Sequence, residues 1–213
     1  MRPLRSSSAL AVNFFDYWRY RPLAPLTAAL GLDGEFVEFH FEQKLPTGLR
    51  GNRPNIDVVM FPRSGPPVGI ECKFCEPYDT DEPRPAIDAA YFPSNTYLWT
   101  AAGLPRAQAT AEALGSSFQC TRLDAGQLLK HMLALGHVYG DLRPVRLIYL
   151  WFDDGSAIAA DHHREIKEFA KLLASELWFQ SLTYQQVFAR LQSDSSIDPD
   201  YLSSLRSRYF ATA

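Results

Sequence analysis

Asp57, Glu71 and Lys73 are the side chains whose types and spacing point to hard-cation chemistry. Glu71 and Lys73 stand at i and i+2, so on a strand they share one face while Ile70, Cys72 and Phe74 take the other. Two carboxylates and an ammonium meet the needs of a magnesium site acting on a phosphodiester. Mg2+ prefers oxygen ligands, keeps several waters and takes only one or two protein carboxylates beside a substrate phosphate. Asp57 and Glu71 are the candidate ligands, for an ion that would polarise a phosphoryl oxygen and lower the pKa of a water. Lys73 is the candidate for orienting or deprotonating that water and for offsetting charge on the phosphate. A solvated Glu-x-Lys pair on an exposed strand has the same spacing, so the reading depends on what brings Asp57 alongside.

A hairpin would do it. The apolar run Ile56 to Phe61, the break Ser64-Gly65-Pro66-Pro67 and the second run Val68 to Phe74 predict two antiparallel strands around a tight connection. Before them, Glu35 to Lys44 reads as a first strand. Its alternation sets Phe36, Glu38 and Glu42 on one face and Val37, Phe39 and Phe41 on the apolar one. Asn13 to Trp18 predicts a helix, broken or restarted at Pro22 and Pro25. Glu76 to Pro85 is a proline- and acid-rich loop, either a substrate-facing flap or a simple connector.

Asp124 with Gln127 opens a helix running to about His137, with Leu128, Met132 and Leu135 on its buried stripe. Val145 to Phe152 is a buried strand. Asp161 is expected to cap a helix carrying Ile166, Phe169, Leu173 and Leu177, and Thr183 with Gln186 and Asp198 with Pro199 start two more. This order predicts an α/β fold, a mixed central β-sheet flanked by helices. Residues 1–8 read as a flexible leader and 9–213 as a single domain.

Composition narrows the class. In 213 residues, 46% hydrophobic and 13% aromatic, there is enough apolar surface for a substantial core. No apolar run approaches the roughly 20 residues that span a bilayer, no signal-peptide core is present, and three cysteines fit a reducing compartment. A cytoplasmic protein without membrane partners is the expectation. The formal charge of −3 runs against a nucleic-acid binder unless cations gather locally, and Lys44, Arg50, Arg53 and Arg63 are the expected basic rim. Cys72-x-x-Cys75 has no second ligand pair to make a zinc site. His162-His163 reads as two solvated residues near a helix start. No Gly-rich phosphate loop appears, so no nucleotide cofactor is expected.

Asn55-Ile56-Asp57 and Ile70-Glu71-Cys72-Lys73 resemble the PD-(D/E)XK nuclease superfamily, with Ile56 where the name-giving proline would stand. More closely, Pro54 to Val59, Ile70 to Pro77, Leu123 to His131, Leu147 to Asp153 and Leu182 to Leu191 are similar to a family of restriction endonuclease-like proteins. The resemblance implies a restriction-endonuclease-like core with Asp57 on the second strand and Glu71 and Lys73 on the third. It also implies Mg2+, with Mn2+ as a substitute, held by Asp57, Glu71 and the Cys72 backbone carbonyl. A third acid is implied from Glu35, Glu38 or Glu42, of which Glu42 is favoured. Gln127 and Lys130 would approach the scissile phosphate from the helix after the third strand.

The function expected is metal-dependent hydrolysis of DNA phosphodiesters, with a homodimer supplying two sites for double-strand cleavage. A structure-specific or repair nuclease is the enzymatic alternative. A non-catalytic DNA-binding or assembly module that keeps the fold is the alternative of another class.

Overall fold

A nearly continuous apolar strand needs cover on both faces, and Val145–Trp151, buried at every position but Arg146, is such a strand. The computed structural model describes residues 6–51, 53–94 and 96–210. Its elements are α1 (Ser7–Phe15), α2 (Ala24–Ala29), β1 (Phe36–Lys44), β2 (Asn55–Pro62), β3 (Val68–Lys73), α3 (Leu98–Ala101), α4 (Pro105–Ala113), α5 (Ala125–Tyr139), β4 (Val145–Trp151), α6 (Ala157–Leu173), β5 (Leu177–Thr183), α7 (Tyr184–Gln192) and α8 (Pro199–Leu205). The strands form one mixed sheet in the order β1-β2-β3-β4-β5. The first three pair antiparallel and the last three parallel. Parallel neighbours need long crossovers: α3 to α5 carry the chain from β3 to β4, and α6 carries it from β4 to β5.

Helices cover both faces. Ile70, Cys72, Ile148 and Leu150 meet Leu10 and Phe14 of α1, Leu26 of α2, Tyr184 and Val187 of α7 and Tyr201 of α8. On the other face Leu147, Tyr149 and Trp151 meet Trp99 of α3, Leu128 and Met132 of α5 and Phe169 of α6. The α/β architecture expected from the sequence is therefore present. Asp124 caps α5, Thr183 and Gln186 form a reciprocal capping box on α7, and Asp198 caps α8 ahead of Pro199. No helix among the described residues is long and apolar enough to cross a membrane.

Four expectations are corrected. A bulge in the β1–β2 ladder between Phe36 and Glu38 shifts the face, so Phe36 joins Phe39 in the core while Val37 is exposed. Helix α6 begins earlier than expected, capped by Ser156, and Asp161 lies inside it, paired with Arg164. Leu177 belongs to β5, not to that helix. The predicted leader is helical from Ser7, with Ser6 as its N-cap; residues 1–5 lie outside the described ones.

His162 is also not solvated. It is fully buried, with Nε2 3.0 Å from the Tyr149 hydroxyl and its ring edge-on to Trp151. Burial, helped by the charges of Arg84, His163 and Arg122, pushes its pKa from 6.5 to about 3. The unfolded chain then binds a proton that the folded one excludes. The stability linked to His162 is complete above about pH 6.5 and falls as pH drops toward 3. Urea unfolding followed across this range should show a steeper acid-side loss in the parent than in His162→Gln.

Candidate active site

The site arises where one ladder stops. Strands β2 and β3 pair at Met60 with Val68, Val59 with Gly69 and Val58 with Ile70, and no further. Strand β2 stays with β1 through Ile56 with Gln43 and Asn55 with Lys44. Its start therefore leaves with β1, and a gap opens beside Cys72. The N–H and C=O of one strand residue point to the same side. Lys73 turns its carbonyl to the β4 side, where the Phe152 N–H donates to it at 2.9 Å, so the Cys72 backbone faces the gap. Asp57 fills it, Oδ2 accepting the Cys72 N–H at 2.7 Å. The carboxylate takes the place of a missing ladder partner.

On the face of β3 opposite the Cys72 side chain, Glu71 is fully buried. Its Oε1 lies 2.7 Å from Lys73 Nζ and its Oε2 accepts from His131 Nε2 at 2.8 Å. Burial alone would raise this carboxyl, but the His131 ring and the Lys73 ammonium hold it below its ordinary value. Burial works to lower Lys73, and the charges of Glu71, Asp57 and Glu76 outweigh it and raise its pKa. Lys73 is therefore a firmly held ammonium. It also donates to Gln127 Oε1 at 2.8 Å.

Asp57 has the opposite balance. Burial first, then the Glu71 charge, push its pKa up to about 8, against the pull of the Cys72 N–H and Lys73 and with a further upward push from Glu42. Glu42 falls between the pairs Phe41 with Val58 and Gln43 with Ile56, which makes Asp57 its neighbour across the ladder. It alone among the described non-glycine residues has a positive φ, 51°. Such a left-handed residue inside a strand is strained, by roughly 1 kcal/mol or more. Its exposed carboxylate accepts from the Asn55 side-chain amide.

The structure thus brings Asp57, Glu71, Lys73 and Gln127 into one neighbourhood, with Glu42 at its margin. Lys130 forms no hydrogen bond or ion pair with the described residues. Glu35 and Glu38 sit at the far end of β1: Glu35 holds Arg63 through two contacts of 2.7 Å, and Glu38 lies beside His40. Arg63 is accordingly not part of a basic rim. Lys44, Arg50 and Arg53 are exposed at the Asp57 end of the hairpin. No three His, Cys, Asp or Glu side chains among the described residues converge into a cation site.

His131 was missed from the sequence. The signal was present: with Leu128, Met132 and Leu135 it completes an i, i+3, i+4, i+7 stripe that must be buried, and a buried imidazole needs a polar partner. Gln127 and His131, four residues apart, reach Lys73 and Glu71 from successive turns of α5.

Removing His131 leaves a buried carboxylate short of a partner. His131→Ala should cost about 3 kcal/mol or more, read by urea unfolding. Asp57→Asn removes an acid whose ionised form burial and Glu71 disfavour while keeping an acceptor for the Cys72 N–H, and should raise stability by about 1 kcal/mol at neutral pH.

A family model described as restriction endonuclease associating with ARP matches residues 1–210. No curated protein and no solved structure matches the chain. With nearly its whole length matched, the chain belongs to the family of restriction endonucleases associating with ARP.

Proposed function

We propose that the protein is a metal-dependent endonuclease of the PD-(D/E)XK type that hydrolyses DNA phosphodiesters. The observation that carries this reading is the placement of Asp57 in the gap beside Cys72, next to a Glu71 already bracketed by Lys73 and His131. Family membership supports a nuclease-like activity. The geometry supports a distinct role for each of these groups.

A hard dication fits this donor set. Asp57 keeps Oδ1 beyond its bond to Cys72, the Cys72 carbonyl faces the same gap, and the acids there repel one another, which a dication would relieve. Two carboxylates and a carbonyl suffice for Mg2+, which fills its remaining positions with water and phosphate. Asp57, Glu71 and the Cys72 carbonyl would hold it, with Glu42 adding charge from the margin. Once bound, Mg2+ or Mn2+ would supply Lewis-acid polarisation of a phosphoryl oxygen.

The chain's own groups supply the rest. Lys73, as an ammonium, is suited to orient a water and offset charge developing on the phosphate rather than to take a proton. Gln127 fixes the Lys73 head, and His131 holds Glu71 ionised and immobile. Both are positioning residues. Double-strand cleavage would use two copies of the chain, each with one site, and the family description suggests a partner, ARP.

Supercoiled plasmid incubated with Mg2+ should be nicked by the parent. Asp57→Asn and Lys73→Ala should each cut at least about 100-fold more slowly. Ca2+ in place of Mg2+ should allow DNA binding without turnover, because its looser coordination misplaces the water. Retained binding with no cutting by the parent under any divalent ion would favour the non-catalytic module.

A further inference from the structure

A small cavity of about 100 Å³ opens beside Lys73, lined by Lys73, Glu76, Arg84, Arg122, Asp124 and Tyr149 among others. Three cations face two carboxylates in this lining. The carboxylates are engaged: Glu76 accepts from the Ser7 hydroxyl and the Phe74 N–H, and Asp124 accepts from the Gln127 N–H. Of the cations, Lys73 is paired with Glu71 and Arg122 with Asp81, which leaves Arg84 the least engaged. Arg84 Nη2 donates to the Glu76 carbonyl at 2.6 Å, but its Nε is buried without a partner among the described residues. Lys73 has a further N–H beyond those aimed at Glu71 and Gln127.

The walls are prefixed. Glu165 accepts the N–H groups of Thr121, Arg122 and Leu123 at 2.8 to 2.9 Å. Arg122, almost fully buried, is anchored through the Thr80 carbonyl and Asp81. The Arg84 N–H donates to the Cys120 carbonyl at 2.7 Å. The Glu76 to Pro85 loop is therefore tied down across the cavity instead of swinging free. Its volume is that of about three waters, room for one tetrahedral oxyanion.

We infer that this cavity is a subsite for a single phosphate group of a nucleic-acid strand, gripped by Arg84 and Arg122 with Lys73 at its inner rim. The inference rests on the nuclease reading, and it adds a second phosphate contact that sets where the strand lies relative to Asp57 and Glu71. Arg84 offers the buried donor that a phosphate oxygen satisfies, in the forked geometry that suits guanidinium–phosphate pairs. The phosphate comes from a strand end or from an internal linkage, and the same contacts serve both.

The test needs no turnover. Inorganic phosphate titrated into the metal-free parent, followed by calorimetry, should bind, and Arg84→Ala should weaken it about ten-fold or more, with Arg84→Lys in between. In the parent, the Arg84 Nε–H resonance should shift on adding phosphate but not chloride, which keeps the test open should Arg84→Ala fail to fold. Equal phosphate affinity in the parent and a folded Arg84→Ala, or an Arg84 Nε–H resonance that phosphate leaves unmoved, overturns the inference. Oligonucleotides with phosphorylated or hydroxyl ends and a closed circle then separate the sources. Preference for a phosphorylated end supports a terminal group, and equal competition by the circle supports an internal one. Nicking without phosphate binding sinks the subsite alone; phosphate binding without nicking sinks the nuclease reading and leaves the subsite standing.

Discussion

Glu71 carries its carboxylate into the seam between β3 and α5, with no exposure to water. A charge in such a place costs several kcal/mol unless compensated, and most of what surrounds it can be understood as that compensation. Lys73 reaches it from two residues along the same strand and His131 from the facing helix. Helix α5 must present His131 and Gln127 on one side, which fixes its rotation about its axis. The Asp124 cap fixes where it begins. One buried acid thereby sets strand register, helix register and the state of Lys73 together.

Asp57 supplies the second element, through backbone accounting. A strand N–H left without its ladder partner is costly to bury, and the Asp57 carboxylate satisfies that of Cys72 where β2 departs. Its position is thus set by the fold itself, with Glu71, Lys73 and Glu42 acting on it. The strained backbone of Glu42 fits the same pattern, since strain clusters where structure serves something other than stability.

Much of this was legible in the sequence. Alternation around Glu71 and Lys73, the hairpin break at Gly65 and the caps at Asp124, Thr183 and Asp198 depend on local chemistry, and local chemistry is what a single chain displays. The bulge at Phe36, the burial of His162 and the start of α6 at Ser156 depend on tertiary packing, which overrides local alternation and capping preference. The engagement of Arg63 by Glu35 could not be read because it needs the register of β1 against β2. His131 lay between these cases: its burial followed from the stripe on α5, whereas its partner required knowing which face of β3 that helix covers.

The proposed cation site joins Asp57 and Glu71 at the end of the β2–β3 ladder. Calorimetric titration of Mn2+ into the parent, Asp57→Asn and Glu38→Gln tests it most directly. One ion should bind per chain in the parent and in Glu38→Gln, whose carboxylate lies at the far end of β1, and binding should be lost in Asp57→Asn. Unchanged Mn2+ affinity in a folded Asp57→Asn would contradict the account.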